Sequence, residues 1–178
     1  MGKKIISFGL SQKSIKEAIR QIEEYKKELN QKIVEFTEAL AKKGELVALS
    51  KIEESPLGRK TITLRSETTQ EDAGCKVIIV ATGQTFSSED YPSFNTLLAV
   101  EFGAGIHHNP EPNPKANEMG YGVGTFPGQT HAFEDGWYYL GEDDKWHYTH
   151  GVKATMPMYS ATVEIANKIQ ETAKEVFG

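Results

Sequence analysis

The sequence predicts an α+β fold in which a long N-terminal helix and a C-terminal helix pack on an antiparallel β-sheet, with a long Gly/Pro-rich loop before the last elements. Three observations predict it. Apolar residues recur at helical spacing over residues 15–40 and again over residues 158–176, near the two ends of the chain. Between them, residues 61–66 alternate apolar and polar side chains of β-favouring type, and residues 76–81 form an apolar run, so the two read as an antiparallel hairpin. Residues 103–136 are broken by Pro110, Pro112, Pro114 and Pro127 and by Gly120, Gly122, Gly124 and Gly128, which suits a loop.

Taken in order, residues 3–8 suit a short strand. Ser14-Ile15-Lys16-Glu17 fits a capping box, in which a hydroxyl and a carboxylate satisfy reciprocal backbone N–H groups. Ile15, Ile19, Ile22, Leu29, Ile33, Phe36 and Leu40 then trace one face, widened by Ala18, Tyr25 and Ala39. Lys42-Lys43-Gly44 supplies cations and a glycine for a helix end. Such a helix is ~45 Å long, more than the core of a small domain needs, so part of its stripe is expected to meet a partner.

Residues 45–53 read as a helical extension after a bend at Gly44, residues 55–58 as a turn, and residues 76–81 as a second, more completely buried strand. Phe94, Leu97, Leu98 and Phe102 have the spacing of a short helix entering Gly103. Trp137–Leu140 and Trp146–Thr149 flank a polar turn as the strands of a hairpin should. Pro157 occupies a natural first helical position, and Met158, Ala161, Ile165, Ile169, Ala173 and Val176 carry the last helix. Trp146 and Met158 are expected to hold the last hairpin against that helix. No linker or internal repeat divides the chain, so residues 1–178 are read as a single domain.

At 178 residues the chain is long enough to bury a core without disulfides, and its single cysteine, Cys75, is read as a buried structural thiol. A formal net charge of -5 lacks the basic footprint of direct nucleic-acid recognition. No apolar run reaches the ~18 to 20 residues of a membrane span, and the start of the chain lacks the apolar core of a secretory signal. Residence in a cytoplasm is expected, with no membrane partner.

All five histidines and both tryptophans lie between residues 97 and 159. His107, His108 and His131, with Glu101 or Glu118, are the candidate metal set, because imidazole and carboxylate are ordinary zinc and iron ligands. Yet no pair has His-x-x-x-His spacing, and adjacent His107 and His108 would diverge on a strand. No metal or other cofactor is expected, and a small metal-dependent hydrolase built on this cluster stands as the alternative reading. Gly120-Tyr121-Gly122-Val123-Gly124 lacks the strand, helix and Lys-Ser/Thr of a phosphate loop. The surplus of aromatics, among them Tyr121, Phe126, Phe133 and Trp137, points instead to an interface.

Leu98-Ala99-Val100-Glu101-Phe102-Gly103-Ala104-Gly105, followed after a long insertion by Thr149-His150-Gly151-Val152-Lys153-Ala154-Thr155-Met156-Pro157-Met158-Tyr159, resembles the tail-component family of long-tailed bacteriophages and prophages, the tail-completion or head–tail joining proteins. The likeness follows the order of elements over most of the chain, but only these two segments are specific. Ala104 stands where the family often has Thr. The resemblance implies a structural virion protein that forms a neck ring with copies of itself, between the tail terminator or tail tube and the head connector. It implies no catalysis, assembly in the host cytoplasm, and final residence in the virion. The interface is expected on the two segments, at Glu101, Phe102, Gly103, Met156 and Pro157, and on the surplus aromatics Tyr121, Phe126, Phe133 and Trp137, where the insertion varies among relatives and its role transfers least.

Overall fold

The computed structural model describes residues 5–71, 74–87, 94–105, 113–119, 136–140, 143 and 145–178, with the backbone alone for 137–140. It is an α+β fold with a long N-terminal helix, a C-terminal helix and antiparallel strand pairs. Helix α1 spans Gln12–Glu54, 43 residues, or about 65 Å. Its cap is Ser11, whose hydroxyl accepts from the Ser14 N–H, three residues before the expected box; Ser14 Oγ turns back to accept from Gly9 N–H at 2.7 Å. Glu17 bonds to Arg20 instead of closing the box. Residues 5–9 form no strand.

Gly44 does not end or bend the helix. It is buried, and a Cβ there would lie 2.6 Å from Ile165 Cδ1, so the missing side chain lets the C-terminal helix approach. That contact offsets the ~1 kcal/mol a mid-helix glycine costs relative to alanine. Helix α1 stops at Ser55, whose N–H donates to Ile52 O, and the same residue caps a short second helix, α2 (Pro56–Thr61), through Oγ and the Gly58 N–H. The expected turn is thus one helical turn that begins at Pro56.

Strands β1 (Ile62–Glu71) and β2 (Gly74–Gly83) form the expected antiparallel hairpin, from Ile62↔Gly83 to Glu71↔Gly74. β2 is half-buried rather than enclosed: Ile78 faces outward while Ile79 lies under Gly44, and Cys75 is only partly covered. Two short strands, β3 (Thr85–Phe86) and β4 (Phe94–Asn95), lead to α3 (Thr96–Phe102), capped by Asn95 Oδ1 accepting from Leu97 and Leu98 N–H. Val100 of α3 meets Ile52 of α1 and Ile62 of β1 in the core, with Leu57, Leu64, Leu97 and Val152 around them. Each such side chain contributes ~1.5 to 3 kcal/mol by leaving water.

β5 (Trp137–Leu140) pairs with β6 (Trp146–Thr149) as expected. Trp146 is 69% exposed, which overturns the expectation that it pins this hairpin to the last helix. Strand alternation shows which side chains share a face; it does not show whether anything packs on that face.

The last helix, α4 (Pro157–Phe177), runs antiparallel to α1: Gly44 meets Ile165, Lys43 bonds to Thr172 and Glu175, and Lys32 Nζ donates to Val176 O. Phe36 and Phe177 close this contact with ring centroids 5.8 Å apart. Among the described residues no helix is long and apolar enough to cross a membrane.

Candidate functional site

The two segments singled out in the sequence, residues 98–105 and 149–159, come together. The Val100 carbonyl accepts from Thr155 N–H at 2.9 Å and Met156 N–H at 3.3 Å, while Ala104 and Val152 exchange backbone bonds of 2.9 and 2.7 Å. Gly151 makes this approach possible: its φ is 116°, and a Cβ there would sit 1.7 Å from Ala104 O.

The segments meet at the start of α4. Met156 precedes the helix in the left-handed region (φ 55°, ψ 53°) and caps nothing with its own side chain. The missing cap comes from Glu101, 57 residues earlier: Met158 N–H donates to Oε2 and Tyr159 N–H to Oε1, each at 2.9 Å. Asn113 Nδ2 donates to Oε1 at 2.9 Å, and Asn113 Oδ1 accepts from Lys115 N–H at the start of the turn over residues 113–119.

Glu101 is 7% exposed. Burial pushes its carboxyl above the usual carboxylate range, opposed by the bonds from Met158, Tyr159 and Asn113. A carboxylate facing the N–H groups of a helix start is the arrangement that the helix dipole favours. Chemically, this site is a clamp that joins α3, the 113–119 turn and α4.

No family model, curated protein or solved structure matches the chain. The placement of the sequence-derived residues therefore rests on geometry. Glu101, Phe102, Gly103 and Pro157 are buried within the chain, and Met156 is partly buried beside them. Tyr121, Phe126 and Phe133 lie outside the described residues, as do His107, His108 and His131; of Trp137 only the backbone is described. Glu118 is exposed and pairs with Lys115 at 2.8 Å. Among the described residues no group of three or more His, Cys, Asp or Glu is gathered as metal ligands.

Asn113 escaped the sequence reading, because between Pro112 and Pro114 it looked like one more loop residue. Gly151 carried a signal, a glycine next to β-favouring residues, that a close backbone approach explains. On the β5–β6 hairpin, His147 Nε2 and Asp143 Oδ1 lie 2.8 Å apart on an exposed surface, and this bond holds Asp143 below the usual carboxylate range.

Proposed function

We propose that the chain is a structural subunit of a tailed bacteriophage or prophage, acting in tail completion at the neck, where copies of it join the tail terminator or tail tube to the head connector. The observation that carries this reading is the clamp. The two segments that resemble the tail-component family pack on each other, and their most polar member, Glu101, is spent on holding the start of the last helix. Residues used in this way serve architecture, and a long helix, strands, the segment Val100-Glu101-Phe102-Gly103 and a Pro-initiated last helix follow in the order the resemblance implies.

The test is genetic. In a phage lacking this gene, electron microscopy of lysates should show filled heads and separate tails, and supplying the wild-type chain should restore joined particles. Normal infectious virions formed without the protein would overturn the proposal.

A further inference from the structure

Between Gln12 and Lys32, α1 extends past the last residues of α4, while Gly74 of the β1–β2 hairpin lies beside Ile33. One side of this extension is covered by the chain itself: the segment before Ser11 lies along it, forming a shallow groove with Ser14, Ala18 and Gln21, and Ala18 is buried. The adjacent side is exposed. Ile15, Ile19 and Ile22 are 40%, 50% and 55% exposed. With Lys26, Leu29 and Ile33 they continue at alternating spacings of four and three residues, the spacing of a coiled-coil seam.

The charges beside this seam say what fits it. Lys16 and Glu23 are exposed on the uncovered flank, and among the described residues neither has an ion-pair partner in its own chain. If a second copy lies antiparallel with its Ile22 opposite Ile19, two-fold symmetry sets Lys16 against Glu23 of the second copy, twice. Lys26 then falls at the end of the seam, opposite Ile15, where its ammonium reaches solvent. A parallel pair would instead oppose Lys26 to Lys26 and set Glu23 against Ala18.

We propose that the projecting N-terminal part of α1 is a homodimerisation surface, which pairs antiparallel with a second copy of this chain through Ile15, Ile19 and Ile22 and two symmetric Lys16–Glu23 contacts. A two-fold contact of this kind closes on itself. It does not depend on the tail-completion reading and leaves the rest of the surface for other assemblies.

Sedimentation equilibrium of the full chain at low salt tests this. A monomer–dimer equilibrium should appear by about 100 µM, and Ile19→Asp with Ile22→Asp should weaken it at least ~100-fold while the circular dichroism melt stays the same. Lys16→Glu alone and Glu23→Lys alone should each weaken the dimer about tenfold, and the double swap should restore it to within about threefold of wild type. A monomer throughout this range, or an assembly indifferent to the isoleucine pair, overturns the proposal. Swaps that weaken without mutual rescue overturn the antiparallel pairing, and so the proposal as stated.

Discussion

In the C-terminal half of α1, Leu40, Ala41, Gly44, Ala48 and Ile52 are buried, whereas in the N-terminal half Ile15, Ile19 and Ile22 on a continuous apolar stripe stand in solvent. Both halves have the same periodicity, so periodicity alone does not separate them. What differs is the reach of the elements that pack on the helix. Gly44, beside buried Ala41 and Ala48, lets Ile165 of α4 and Ile79 of β2 approach closely, with Leu40 and Ile52 buried on the same half, whereas Ile15, Ile19 and Ile22 lie beyond Lys32, where α4 ends.

The largest effect that can break this comparison comes from one residue type at the two ends of the same helix. Ile52→Ala, in the core with Val100 and Ile62, should destabilise the chain by ~2 to 5 kcal/mol in urea unfolding. Ile19→Ala should change stability by no more than ~0.5 kcal/mol. Equal losses would mean that the N-terminal half is packed after all.

Next in size is the clamp. Glu101→Ala leaves the partly buried N–H groups of Met158 and Tyr159 without their acceptor, so a loss of about 1 to 3 kcal/mol is expected. Hydrogen exchange should show it first at the start of α4. Unchanged protection there would remove Glu101 from its capping role.

Gly44→Leu drives a side chain into Ile165 and should cost ~1 to 3 kcal/mol, against a stabilising or neutral effect if the glycine were an exposed helix defect. Trp146→Ala should leave the melting temperature nearly unchanged, since most of that ring is already in water.

The smallest effect is on pH. The Glu101 carboxyl is raised in the folded chain, so the fold favours its protonated form. Its contribution to stability is therefore full below the unfolded carboxyl value, about 4.3, and is lost as pH rises through the folded one. Across that window wild type should lose stability relative to Glu101→Gln, measured by unfolding at each pH. Parallel profiles would show that the carboxyl titrates as it does in the unfolded chain.

Much of the architecture is legible in the sequence. The long first helix, the β1–β2 and β5–β6 hairpins and the last helix beginning at Pro157 all rest on local pattern, a period of 3.6 or 2 or a proline at a helix start. Gly44 was misread because Lys42-Lys43-Gly44 has the local chemistry of a helix end, and only the approach of Ile165 across the fold gives the glycine its other use. The clamp was legible only in part. Glu101 stood out through its segment, but that its carboxylate caps α4 depends on a contact across 57 residues of chain, for which no local pattern exists. Ser11 displaced Ser14 as the cap because either serine satisfies the local rule, and the segment before Ser11 uses Ser14 for its own N–H.

The pairing of α1 with α4 also has a consequence for the order of events during synthesis. Lys32 waits for Val176, 144 residues later, and Lys43 for Thr172, 129 residues later. At ~5 to 20 residues per second, the apolar face of α1 is therefore on the ribosome for on the order of ten seconds or more before its covering helix exists. Through that interval the apolar face of α1 has no α4 to cover it, and Lys43, on the half that α4 later covers, has neither Thr172 nor Glu175 to bond.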